Sequence, residues 1–136
     1  MIAPGPLYGT RGMVVSGHPL ATLAAWQTFD RGGSVVDAAI SGAAVLAVAL
    51  PNACTIGGDA FILVHHAPEA KTFGINASGP APAATDPGMF ASQIPVKGPL
   101  SMTVPGLVGG WQAAHDRFGR LEWPSLFDAA IRIAED

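Results

Sequence analysis

Apolar positions recur along this chain with two different periods, and the places where the period changes predict its elements. Residues 12–16 read as a short β-segment, and Gly17-His18-Pro19 turns the chain into a helix with Pro19 at a tolerated first-turn position. Leu20, Leu23, Ala24, Trp26 and Phe29 follow at helical spacing, and Arg31-Gly32-Gly33 ends that helix because a glycine accepts the left-handed conformation beyond a C-terminus. Ser34 then caps a second helix over residues 35–50, with Asp37 three residues on to favour the positive helix end. That run is apolar nearly all round, so it belongs in the middle of a layer.

Residues 51–59 form a loop, and 60–66 read as a strand of near-continuous β-formers. Pro68-Glu69-Ala70 turns the chain into a second strand, 71–76, making a hairpin. The stretch 77–88 is Pro/Ala/Gly-rich and irregular, and it leads to an expected short helix over 89–93 and a short strand at 102–104. Leu107, Trp111, Ala114 and Phe118 share one face of a helix over 107–118 that Gly119 terminates, and Pro124 opens a last helix running to the end. The chain stops inside that helix with no cap after Asp136, and a truncation is the expectation. The order helix, helix, hairpin, helix, helix fits a layered α/β or α+β arrangement.

Composition narrows the picture. Apolar residues make up 49% of the 136 and charged residues only 12%, about half the usual share, so part of the surface is expected to be covered by a continuation or a partner. A net charge of −3 with scattered Lys and Arg leaves no basic stripe for phosphates, which argues against nucleic-acid binding. The longest apolar run, 38–50, is shorter than the roughly 20 residues a membrane span needs. Residues 1–11 lack a basic segment leading into an apolar one, so no secretory signal is read and a cytoplasmic location is expected. A single cysteine, Cys54, excludes an intrachain disulfide and a multi-cysteine zinc site. Neither a metal nor a cofactor is expected.

Individual candidates for chemistry carry little. His65 and His66 are neighbours on a strand, point to opposite faces and cannot share one metal. His18 suits capping or packing at a helix start, His115 a solvated helix face, and Cys54 a small buried site without a base partner. Gly57-Gly58-Asp59 lacks the Lys-Ser/Thr that would complete a phosphate loop and reads as close backbone packing. Asp37 reads as a first-turn charge, and Trp26, Trp111 and Trp123 as core.

Several runs taken together are more telling. Gly12-Met13-Val14-Val15-Ser16-Gly17-His18-Pro19-Leu20-Ala21, Gly32-Gly33-Ser34-Val35-Val36-Asp37-Ala38-Ala39, Ile56-Gly57-Gly58-Asp59-Ala60-Phe61-Ile62-Leu63-Val64 and Val104-Pro105-Gly106 stand in that order. Ala113-Ala114-His115, Phe118-Gly119-Arg120-Leu121, Trp123, Leu126-Phe127 and Ala130-Ile131-Arg132-Ile133-Ala134-Glu135 follow. This succession resembles the large subunit of the γ-glutamyltranspeptidases and covers almost the whole chain. The resemblance implies an α/β layered fold of the αββα N-terminal-nucleophile hydrolase type. It also implies a proenzyme that cuts itself before a threonine, which then attacks a small-molecule amide with its own α-amine as base.

None of the seven threonines here, Thr10, Thr22, Thr28, Thr55, Thr72, Thr85 and Thr103, sits in a Thr-Thr-His-type processing motif. Residues 1–136 are therefore expected to be the N-terminal portion of the large-subunit region, with no catalytic residue of their own and with the downstream small subunit as partner. The transpeptidases proper carry an Arg, in a loop ending Ala-Pro, that grips the glutamyl α-carboxylate. The matching stretch is Ile75-Asn76-Ala77-Ser78-Gly79-Pro80-Ala81-Pro82, with Ser78 at the Arg position. Replacing a charged donor to a carboxylate removes a contact worth about 1.5–3 kcal/mol, and the resemblance then points to amidohydrolases of other small acyl groups. By this resemblance the substrate-binding candidates are Asn76, Ser78 and Gly79. Ser78-Gly79 serving only as a tight turn is the alternative, and a non-catalytic α/β binding module is the alternative for the whole chain.

Overall fold

The computed structural model describes residues 5–90 and 92–136. Four α-helices and one hairpin follow in the expected order: α1 Pro19–Asp30, α2 Val35–Ala49, β1 Ala60–His66, β2 Lys71–Ala77, α3 Leu107–Phe118 and α4 Asp128–Glu135. The starts of the first two helices show how locally they are specified. At α1, His18 Nδ1 accepts from Leu20 N–H at 3.2 Å, so His18 is the cap. At α2, Ser34 Oγ accepts from Val36 N–H and Asp37 N–H while Asp37 Oδ2 accepts from Ser34 N–H, a reciprocal capping box.

Helices α1 and α2 approach closely because small residues line their contact. A Cβ built on Gly42 would stand 3.1 Å from Ala25 Cβ and 3.2 Å from Ala21 O. The other side of α2 faces α3 and α4 through a core of Val36, Ile40, Ala44, Val45, Val64, Trp111, Ala114, Leu126 and Ala130. Trp123 meets Phe127 edge-on at 4.8 Å, and Phe127 in turn lies against Trp111. Most of α2 is therefore covered by neighbouring helices, although Val35 and Ala39 remain exposed.

The hairpin is antiparallel, with Ala60 opposite Ala77 and His66 opposite Lys71. Its turn uses a 3-10 stretch, Ala67–Glu69, and Ala70 in the left-handed conformation at φ 49°. Alternation puts Ile62, Val64, Phe73, Ile75 and Ala77 toward α3. Gly110 of α3 sits so close to Ala77 that a side chain there has no room. The other face carries Phe61 and Leu63, 76% and 80% exposed. The helices observed thus cover one face of a two-stranded sheet, an α/β arrangement.

Five expectations need correction. Residues 12–16 are extended and alternate between half-buried and exposed, but no strand pairs with them among the described residues. Residues 102–104 likewise belong to no sheet, since their one backbone bond of this kind runs from Val104 N–H to Pro80 O at 2.9 Å. The short helix expected over 89–93 is replaced by a 3-10 turn at Pro87–Met89, capped by Asp86, after which Phe90 is extended. Residue 91 of that expectation lies outside the described residues, as do 1–4 of the expected leaderless start. The last helix is divided: Pro124 opens a 3-10 turn, Trp123–Leu126, and the α-helix begins only at Asp128. Trp111 alone of the three tryptophans is buried, with Trp26 and Trp123 half-buried. No described helix is long and apolar enough to cross a membrane.

Candidate functional site

Three loops converge where the hairpin ends. The first brings Gly57-Gly58-Asp59 into β1, the second leaves β2 as Ser78-Gly79-Pro80, and the third leads Thr103-Val104-Pro105-Gly106 into α3. Backbone groups tie them together. Gly58 O accepts from Gly106 N–H at 3.2 Å and from Leu107 N–H at 2.9 Å, which satisfies two otherwise unpaired donors at the start of α3. Close packing that only glycine allows, which the sequence suggested for Gly57 and Gly58, is not found there, since a Cβ on Gly58 would meet Thr55 no nearer than 3.4 Å. Gly79 and Gly106 allow the approach, because a Cβ on Gly79 would collide with Val104 O and one on Gly106 with Ala77 O.

The side chain that organises this junction is Asp59. Its Oδ1 accepts from Gly79 N–H at 3.1 Å, and its Oδ2 accepts from Thr103 Oγ1 at 2.8 Å and, at the long distance of 3.5 Å, from Ser78 Oγ. The Gly79 N–H and then the Thr103 hydroxyl hold its carboxyl below the ordinary carboxylate range, against a small opposing effect of desolvation. No ion pair with a Lys, Arg or His engages Asp59 among the described residues.

The three expected binding residues are brought together here. Ser78 and Gly79 are half-buried and Asn76 is exposed. Asn76 Oδ1 accepts from Ser78 N–H at 3.0 Å, so this carbonyl shapes the turn, and the turn and the three-loop junction coexist at Ser78-Gly79. Sequence reasoning missed Asp59 and Thr103. The available signal was an acid closing a Gly-Gly loop beside a strand, read as backbone packing and as a departure from the family's glycine run but not as a site residue.

Elsewhere, the histidines are spent on structure, while Cys54, expected to be buried, is half-buried. His65 and His66 lie on opposite faces, hydrogen-bonded to Thr72 Oγ1 and Glu69 Oε1 respectively. His115, expected on a solvated face, is instead packed on Trp123 at 5.3 Å with Nε2 at 2.8 Å from Leu121 O. No group of metal-ligating side chains occurs among the described residues.

Residues 21–136 match the family described as Gamma-glutamyltranspeptidase. The chain belongs to the γ-glutamyltranspeptidase family. It is 35% identical over 131 residues to the glutathione hydrolase-like YwrD proenzyme of Bacillus subtilis, covering 94% of this chain and 25% of that protein. It is 38% identical over 135 residues to the oxamate amidohydrolase proenzyme of Klebsiella pneumoniae, covering 93% of this chain and 25% of that protein. The γ-glutamyltranspeptidase of Helicobacter pylori superposes with a TM-score of 0.87 at 31% identity, over 95% of this chain and 39% of the solved one. The chain therefore spans about a quarter of the length of these two curated relatives.

The lowered pKa of Asp59 has a measurable consequence. A carboxyl whose folded pKa is depressed contributes stability that is fully present above its unfolded pKa, about 4, and is lost as pH falls through the folded value. The difference in thermal midpoint between the protein and its Asp59→Asn variant is expected to be level above about pH 5 and to shrink as pH falls below about 4. Melting curves recorded from about pH 2.5 to about pH 6 check this. A difference that stays constant through it would show that the bonds to Asp59 do not persist in solution.

Proposed function

We propose that residues 1–136 form the N-terminal portion of the large-subunit region of a proenzyme that hydrolyses or transfers the acyl group of γ-glutamyl or related small amides. In this reading the mature enzyme has the αββα layering of N-terminal-nucleophile hydrolases. The nucleophile is a threonine outside these residues, freed by self-cleavage. This chain supplies scaffold and one wall of the acyl pocket, with Asn76, Ser78 and Gly79 lining it. The observation that carries the reading is the three-loop junction. It holds a half-buried Ser-Gly pair at the position where the family resemblance places acyl-group recognition. The bare outer sheet face, with Phe61 and Leu63, supports a further layer lying against it. The proenzyme names of two relatives, and the quarter of their length spanned here, support a longer polypeptide.

The acyl wall needs no charge transfer of its own. Its work is to hold the acyl chain so that the carbonyl faces the nucleophile, which is where misplacement costs rate. The test is to express the whole open frame and examine the product by intact mass and N-terminal sequencing. Two polypeptides are expected, the smaller beginning with threonine. Residues 1–136 alone are expected to show no turnover of amide substrates. A single uncut polypeptide, or a frame closing at Asp136 with a stable monomeric product, would favour the binding module.

A further inference from the structure

We infer that Asp59 sets the acyl-group specificity of this site, making the wall select acyl chains that carry an ammonium or another hydrogen-bond donor and disfavour those that carry a carboxylate. The inference rests on the acyl-wall reading and narrows it, from γ-glutamyl or related small amides, to the related amides whose acyl group lacks a carboxylate.

The argument begins with the direction of the hydroxyls. An ionised carboxylate only accepts hydrogen bonds, so the 2.8 Å contact fixes Thr103 Oγ–H as a donor toward Asp59. The Ser78 hydroxyl faces the same oxygen at 3.5 Å, and its proton is drawn the same way by the negative charge. A hydroxyl that donates inward has only lone pairs left to present outward. The Gly79 N–H, a backbone donor that would suit an anion, is also taken by Asp59 Oδ1 at 3.1 Å. The Ser78 N–H is taken by Asn76 Oδ1 at 3.0 Å. Four groups that in other arrangements donate to a substrate carboxylate are therefore directed elsewhere.

Charge points the same way. Asp59 has no ion-pair partner among the described residues, and its depressed pKa keeps it ionised at neutral pH. A wall with outward lone pairs, a net negative charge and its nearby donors occupied complements a cation or an amide N–H and repels a carboxylate. At a separation of roughly 6 Å and a dielectric constant of about 80, which suits an exposed carboxylate, one unit charge changes the rate about three-fold, so a cationic and an anionic donor differ by about ten-fold. Asp59 acts by its field and by holding Ser78 and Gly79, so it is a positioning and specificity residue.

The experiment uses the processed, full-length enzyme and two acyl donors with the same leaving group and chain length, a 4-aminobutyryl and a glutaryl anilide. The wild type is expected to favour the aminobutyryl donor in kcat/KM by about ten-fold or more. Asp59→Asn keeps an acceptor for Gly79 N–H and removes the charge. It is expected to lower the aminobutyryl rate, raise the glutaryl rate and bring the ratio toward unity. A purely structural role would change both rates together. Raising ionic strength in the wild type is expected to compress the ratio as well, which gives a readout independent of any substitution. A ratio that responds neither to Asp59→Asn nor to salt, or a wild type that prefers the glutaryl donor, overturns the inference. If neither donor is cleaved, or if Gly79→Ala spares both, the acyl wall itself fails and the inference falls with it. If Gly79→Ala lowers both rates while the ratio resists Asp59→Asn, only the inference fails.

Discussion

Asp37→Ala is expected to destabilise the protein by about 3 kcal/mol or more, lowering the thermal midpoint by about 10 °C. Asp37 is fully buried, and a single oxygen, Oδ2, accepts from Ser34 N–H at 2.7 Å, Arg120 N–H at 2.9 Å and Leu121 N–H at 3.3 Å. Its other oxygen, Oδ1, accepts no hydrogen bond among the described residues and faces His115 Nε2 at 3.6 Å. One side chain thus joins the start of α2 to the turn after α3, across more than eighty residues of sequence. Alanine removes the acceptor and leaves one buried and two part-buried backbone donors without their partner. Each unsatisfied donor costs about 1–3 kcal/mol before relaxation. Asp37→Asn keeps one oxygen for these donors and is expected to fall between alanine and the wild type. Thermal or urea melts of the three proteins decide it. An alanine variant within 1 kcal/mol of the wild type (about the net worth of one ordinary hydrogen bond) would mean that the turn at 119–121 finds other partners.

The same residue shows what the sequence could and could not convey. Its local role, a carboxylate in the first turn of a helix capped by Ser34, was legible because a capping box is written within four residues. Its distant role was not, because nothing in the spacing of 37 and 120 says that they meet. The pattern repeats through the molecule. The bounds of α1, α2, α3 and both strands were readable from periodicity, caps and glycine stops, all of them short-range signals. Residues 12–16 and 102–104 have the composition of strands, but whether an extended segment joins a sheet depends on a partner, and the partner is tertiary. In the last helix, the rule that proline opens a helix held for a single 3-10 turn, and Asp128 began the α-helix proper.

At the candidate site the division falls between backbone and side chain. Asn76, Ser78 and Gly79 were picked out through family resemblance, and the folded chain brings them into one turn. Asp59 and Thr103 complete that turn from positions 19 and 25 residues away from Ser78. The Thr103 hydroxyl sits in a segment whose composition suggests only a strand. His115 was misplaced for a related reason: its neighbours Asp116 and Arg117 are exposed, yet one position back on a helix turns the ring by about 100° and sets it against Trp123. A charged neighbourhood in sequence is not a charged neighbourhood in space.

Gly79→Ala is expected to damage function more than any other single methyl group added to this chain. The carbonyl of Val104 lies where the new Cβ would go, and it belongs to a backbone that has little freedom to retreat. On one side, Val104 N–H is bonded to Pro80 O at 2.9 Å, and on the other, Gly106 N–H and Leu107 N–H are bonded to Gly58 O. Relief therefore requires the 78–80 loop to move away from 103–106, which stretches the Val104 bond and withdraws Gly79 N–H from Asp59. The stability cost is expected to be about 2–3 kcal/mol, the upper part of the usual range for overpacking. On the acyl-wall reading the functional cost is of similar size, because a shift of about 1 Å in a positioning wall lowers kcat/KM about 100-fold, or about 2.7 kcal/mol. Gly109→Ala provides the contrast. That glycine lies in α3 with nothing within 4 Å of its built Cβ, so alanine there is expected to gain about 0.5–1 kcal/mol through helix propensity. Amide exchange at Val104 and Gly79, with kcat/KM of the processed enzyme, separates the two variants. If Gly79→Ala melts and turns over as Gly109→Ala does, the three loops are not held together as the structure describes, and the acyl wall built on them goes as well.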